Sequence, residues 1–267
     1  MSTVAIRSAS PTPRLAPIGR TLYKQTRAQW RLLLRQPAMS LIAIILPVLL
    51  YLLFGLPHAR QAYSPTVSMG AYMLVGLGAY GVGLIMVFTF GASVAMDRGQ
   101  KNDLLMRATP LPPAVDIAAR VLVAIVFAII TLMVLFAVAL VAGVRLQPAT
   151  WLTIMTYLVA GSLPLLGLGL AVAYLISPNA AVAIVNIIYM LLAFASGFLV
   201  PMSQLPNLVQ QVAGYLPTYH YGQLAWSAIG VSTESVVVSA AWLVGYTVVF
   251  FGLALWAYRR DASRRSG

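Results

Sequence analysis

The chain has 267 residues, 61% of them hydrophobic and 8% charged, with a net charge of +12 and no cysteine. A mean hydropathy of +0.89 means more apolar surface than a water-soluble domain can hide, whereas a bilayer can solvate it. The lack of cysteine excludes disulfides and thiolate chemistry, and the length allows one membrane domain but no large soluble one.

In chain order, residues 1–17 are rich in Ser, Pro and Ala and read as a disordered arm. Residues 18–36 read as an amphipathic helix. At about 100° per residue, Arg20, Lys24, Arg27, Arg31 and Arg35 fall on one stripe. Ile18, Leu22, Leu32 and Leu33 lie opposite, with Tyr23 and Trp30 on the flanks. That is the pattern of a helix lying in the membrane interface. Pro37 breaks it. No cleavable signal peptide is expected, because the first apolar run follows a long basic arm.

Six apolar runs follow, at 39–56, 69–95, 117–142, 152–176, 180–201 and 236–258. Each has about the 20 residues needed to cross a hydrocarbon core. They predict an all-α membrane domain over 37–260 with a basic tail, 261–267. Pro47 in run 1 and Pro164 in run 4 are expected to free a carbonyl and kink their helices. The glycines of runs 2 and 4 predict close helix packing. No internal repeat supports an inverted-repeat carrier.

The basic residues lie on one side of these runs. Of the 17, only Arg60 and Arg145 fall in loops on the other side, which puts both termini in the cytoplasm. Because the charges sit next to spans, they set orientation and meet anionic lipid, and nucleic acid is not an expected partner. The outer loop 202–235 carries a single charge, Glu234. Leu205, Leu208, Val209 and Val212, after which Pro217 opens a second stretch, predict two short helices re-entering the outer leaflet.

Several chemistries are missing. Neither lysine, Lys24 or Lys101, fits a Gly-x-x-x-x-Gly-Lys-Ser/Thr phosphate loop. No group of His, Cys, Asp and Glu has metal-ligand spacing, and His58 and His220 read as isolated residues of outer loops. Phe194-Ala195-Ser196-Gly197 resembles an intramembrane protease nucleophile, but Phe194 replaces the usual glycine and no later span supplies a histidine base. No carboxylate lies deep in a span, as proton- or ion-coupled carriers often require. Asn186, Tyr189 and Ser196 are expected on roughly one side of span 5, either lining a path or joining helices.

The loop after span 2 contains Asp97-Arg98 and then Arg107-Ala108-Thr109-Pro110-Leu111-Pro112, with a short helix expected between Asn102 or Asp103 and Pro110. Here the chain resembles the ABC-2 type permeases, the membrane subunits of ABC exporters. These carry an acidic-Arg pair, then Gly-Thr (Lys101-Asn102 here), then a helix ending in Arg-x-Thr-Pro-Leu. Ser196-Gly197, Pro201, Leu205-Pro206, Leu216-Pro217 and Tyr258-Arg259-Arg260 also match, so the resemblance runs over nearly the whole chain.

The resemblance implies six transmembrane helices, an N-terminal interfacial helix and a re-entrant outer pair between spans 5 and 6. It implies a homodimer in the bacterial inner membrane with two cytoplasmic ATPase subunits, which would hold the ATP and Mg; this chain would bind no cofactor or metal and perform no catalysis. A coupling loop, 97–113, would seat in the ATPase through Asp97, Arg98, Asp103, Leu104, Leu105, Met106, Arg107, Thr109, Pro110 and Leu111. Replacing Asp97 or Leu104 is then expected to weaken ATPase association. Spans 1, 2 and 5 would form the path, and Pro201, Leu205, Pro206, Pro217, Tyr219 and His220 would belong to the outer gate. The pattern looks more like the daunorubicin-resistance type than the polysaccharide type, whose Leu-Gly-x-x-Trp signature is absent at Pro37-Ala38-Met39-Ser40. Hydrophobic or amphipathic cargo is expected. Lipid-linked glycan or sodium export are the alternatives within the class, and a non-ABC carrier, scaffold or sensor subunit the alternative outside it.

Overall fold

The structure, a computed structural model, describes residues 17–35, 37–100 and 113–266. The arm 1–16 and the centre of the expected coupling loop, 101–112, lie outside the described residues.

The described residues are helical almost throughout, as a bilayer demands of backbone that must satisfy its own hydrogen bonds. Helix α1, Ile18–Arg35, is the amphipathic segment. Helix α2, Pro37–Leu50, contains Pro47 and runs on through wider π-type turns at Tyr51–Gly55. Helix α3, Met69–Val87, starts at Ser68, whose hydroxyl accepts from the Ala71 N–H at 3.2 Å. A second π-type segment, Phe88–Ala92, joins α3 to α4, Ser93–Gly99.

Helix α5 spans Pro113–Val141 and carries Asp116 and Arg120 on its first turns. The fourth run is two helices, α6, Pro148–Gly161, and α7, Leu163–Leu175. The expected Pro164 kink is instead a break at Ser162. Pro164 falls in the first turn of α7, where a missing N–H leaves no bond unmade. Helix α8, Pro178–Ala195, is followed by Gly197 at φ +82°, a left-handed turn suited to glycine. The two short helices expected in the loop 202–235 are α9, Asn207–Ala213, and α10, Pro217–Ser227. Helix α11, Val236–Ser266, carries the last apolar run and continues through the basic tail.

Among the described residues, five helical stretches are long and apolar enough to cross a membrane: Met69–Val87, Val115–Val141, Pro148–Leu175, Pro178–Ala195 and Val236–Asp261. A shorter apolar helix, Leu41–Gly55, occupies the position of the expected first span. Helix α3 is the centre of the bundle. Its apolar stretch is enclosed entirely, with α2, α5, α6, α7, α8 and α10 packed around it. By contrast, only 22% of the α8 stretch and 11% of the α11 stretch is covered by the chain itself.

Helix approach around α3 depends on missing side chains. Gly83 leaves the space that the Tyr189 ring and hydroxyl fill. Gly91 and Gly169 bring two backbones together; a Cβ on Gly169 would sit 2.9 Å from the Gly91 nitrogen.

Candidate functional site

One end of the bundle gathers α1, the end of α4, the start of α5 and the last turns of α11. We call it the basal end. It holds a network of charges built on two consecutive residues. In a helix, neighbours point about 100° apart, so Asp97 and Arg98 at the end of α4 reach different partners.

Asp97 Oδ2 accepts from Arg120 Nη2 at 2.7 Å. Arg120 Nε donates to Asp116 Oδ2 at 3.0 Å, one helical turn back on α5. The other Asp116 oxygen accepts from the Gln25 and Gln29 amides of α1, at 2.6 and 3.0 Å. Arg120 Nη1 also donates to Ser93 Oγ at 3.2 Å, and that hydroxyl donates to the Thr89 carbonyl in the π-type segment. One carboxylate–guanidinium chain therefore ties α4 to α5 and α5 to α1.

Arg98 points the other way. It is 9% exposed, and Nη2 donates to Asp261 Oδ1 of α11 at 2.8 Å. Nη1 donates to the Ala173 and Ile176 carbonyls at the C-terminal end of α7, where a helix dipole attracts a cation. The guanidinium also lies over the Tyr174 ring, 5.2 Å from its centroid. The first two residues of the expected coupling loop are thus anchored to α1, α5, α7 and α11.

The opposite end is closed by α10 and its surroundings. Pro217 starts this helix, which buries Thr218, His220, Tyr221, Gln223 and Trp226. The Ser196 and Thr218 hydroxyls lie 2.6 Å apart and share the Leu192 carbonyl of α8 at 2.7 and 3.1 Å. Tyr221 donates to the Leu158 carbonyl at 2.9 Å and Trp226 to the Tyr72 carbonyl at 3.2 Å. The Trp226 and Tyr72 rings stack at 4.9 Å.

His220 is 1% exposed and not isolated. Nδ1 lies 2.9 Å from Glu234 Oε2 and Nε2 lies 2.9 Å from the Gly214 carbonyl. The ring is held between a carboxylate and a backbone carbonyl, one at each nitrogen. Ser239 Oγ on α11 donates to the same carboxylate at 3.2 Å, and Trp242 stacks on the imidazole at 4.9 Å. This pair pins α10 to α11.

The remaining candidates separate. Arg20, Lys24, Arg27 and Arg31 are exposed on α1, while Trp30 is half-buried against the core. Arg35 closes α1, its side chain not among those described. Asn186 is exposed on α8, whereas Tyr189 and Ser196 turn inward and are buried. The Tyr189 hydroxyl donates to the Tyr80 carbonyl at 2.6 Å. Pro201, Leu205 and Pro217 are buried, Tyr219 is half-buried and Pro206 is exposed. His58 is exposed, with Nδ1 3.0 Å from the Phe54 carbonyl. Asp103, Leu104, Leu105, Met106, Arg107, Thr109, Pro110 and Leu111 lie outside the described residues. Sequence reading missed Gln25, Gln29, Asp116, Arg120, Thr218, Glu234 and Asp261 as partners. The i,i+4 spacing of Asp116 and Arg120 and the lone charge of Glu234 were the available signals.

No group of three or more His, Cys, Asp or Glu that could hold a metal ion occurs among the described residues. Residues 22–229 match the family described as ABC-2 type transporter. The chain is 26% identical over 249 residues to a putative transport permease, YvfS, of Bacillus subtilis strain 168, covering 90% of this chain and 98% of that one. It is 27% identical over 262 residues, 92% of each chain, to a probable doxorubicin resistance ABC transporter permease protein, DrrC, of Mycobacterium tuberculosis. The chain therefore belongs to the ABC-2 type transporters, as a multi-pass membrane permease subunit that is not itself catalytic and whose ATPase is a separate subunit.

Proposed function

We propose that this permease exports a hydrophobic or amphipathic compound from the cytoplasm or inner leaflet, driven by two copies of an ATPase seated on residues 97–111. Both termini are cytoplasmic in this reading, which rests on the distribution of basic residues. Leu41–Gly55 completes six spans, and two copies of the chain enclose the path.

The observation that carries the proposal is the divided anchoring of Asp97 and Arg98. A load on the loop reaches α5 and α1 through Arg120 and Asp116, and α7 and α11 through Asp261 and the Ala173 and Ile176 carbonyls. ATPase closure would then move these helices as bodies and switch the path from inward to outward access. We assign Asp97 and Arg98 to the base of the loop and leave the docking contacts to Leu104, Leu105, Met106 and their neighbours. Because α3 is enclosed within one chain, the path runs along the uncovered face of α8, with Asn186, Ile187, Met190, Leu191 and Phe194. Tyr189 and Ser196 hold that helix in place. Helices α9 and α10 close the outer exit. Drug-like cargo draws support from the resistance permease to which the chain is similar.

The test is purification of the tagged chain from native membranes, followed by assay of the ATPase activity of whatever copurifies. A stoichiometric phosphate-loop ATPase whose rate changes with amphipathic compounds supports the exporter. A chain that purifies alone, under conditions that preserve other membrane complexes, contradicts it.

A further inference from the structure

Between α1 and α5 lies an open groove of about 290 Å³. Its α1 wall is Tyr23, Thr26, Arg27 and Trp30, spaced i, i+3, i+4 and i+7, which is one face of a helix. Its α5 wall is Leu122, Val123 and Val126, on the part of that helix that enters the apolar span. The other flank of α1 is fixed by Gln25 and Gln29 on Asp116, so the groove is a constructed gap between two tethered helices.

The lining is mostly apolar, and the exposed Arg27 brings the one charged side chain to it. Arg20, Lys24, Arg27 and Arg31 are all exposed, and none of the four pairs with a carboxylate among the described residues. A stripe of exposed cations with Arg27 at the edge of an apolar slot matches an anion attached to an apolar chain.

We infer that the α1–α5 groove is a binding site for one anionic phospholipid, with an acyl chain between Trp30 and Val126 and the phosphate against Arg27. Tyr23 and Trp30 sit at headgroup depth and border the chain. The site lies where the tethers of α1 meet α5, so its occupant braces the same helix that the basal network holds.

The test is lipid retention by the full-length chain in detergent, counted by native mass spectrometry during titration with phosphatidylglycerol or phosphatidylcholine. The wild type is expected to retain one phosphatidylglycerol in preference to phosphatidylcholine. One basic contact near a membrane surface corresponds to about a fivefold change in affinity. Arg27→Gln should therefore weaken phosphatidylglycerol by about that factor, while Arg20→Gln, which does not line the groove, changes it much less. Val126→Trp, which fills the groove, should lower retention of both lipids. These side chains are exposed, and an unchanged melting temperature confirms that each variant folds. Equal retention of the two lipids by the wild type, or an equal loss in Arg27→Gln and Arg20→Gln, would overturn the site. So would a groove that yields a non-lipid compound from native membranes in place of phospholipid.

Discussion

Arg98 is the most demanding residue at the basal end. Its buried guanidinium meets one carboxylate, two carbonyls and one ring, supplied by α7 and α11. Arg98→Ala removes the guanidinium that Asp261 and two helix-end carbonyls accept from. Removing one member of a buried ion pair typically costs about 3–5 kcal/mol, and the partly exposed Asp261 puts this one at the lower end. Thermal melting of the purified chain should show that loss, with Arg98→Lys intermediate, because an ammonium cannot reproduce the forked geometry. At the other end, Glu234→Gln removes the charge that faces His220 and should cost about 2 kcal/mol, as for a charge-assisted hydrogen bond. Hydrogen exchange would place that loss in α10 and leave α1 unchanged. Sequence could list these residues but not pair them. Asp97 and Arg120 are 23 positions apart and Arg98 and Asp261 are 163 apart, so only the packing of α4, α5 and α11 makes them neighbours.

At the scale of elements, the amphipathic stripe of α1, the apolar runs and the two short helices after α8 were legible, because helix period and proline placement are local signals. Element ends were less so. The fourth run breaks at Ser162 and α11 continues into the tail, outcomes decided by packing and capping that composition does not encode. The contact of α8 with α10 offers a direct check. The chain has no native cysteine, and the Ser196 and Thr218 hydroxyls lie 2.6 Å apart. The double variant Ser196→Cys/Thr218→Cys should form a disulfide under mild oxidation, because the two side-chain ends are in contact. If α10 must leave α8 to open the exit, oxidation stops transport and reductant restores it. Failure to cross-link would contradict the α8–α10 contact itself. The meeting of Gly91 and Gly169 gives a further case. Gly169→Leu must displace backbone and should destabilise the chain by about 1–3 kcal/mol in a thermal melt, whereas Gly252→Leu faces open space and should be neutral.

For the whole molecule, the arrangement is a sealed centre with two tied ends. Helix α3 is enclosed, the basal network joins α1, α4, α5, α7 and α11, and the His220–Glu234 pair joins α10 to α11. Helix α11 is held at both ends, so a displacement at the basal end has a continuous helix through which to reach the outer pair. The central claim is that Asp97 carries motion from the loop into this frame rather than merely binding the ATPase. The most direct measurement is ATP hydrolysis by the ATPase subunit, alone and reassembled with wild-type or Asp97→Asn permease, with the amount of bound ATPase quantified alongside. The account predicts that Asp97→Asn still binds its ATPase while the permease-dependent change in rate falls at least about fivefold, the scale of a coupling free energy between sites. A variant that binds the ATPase and alters its rate as the wild type does would contradict it.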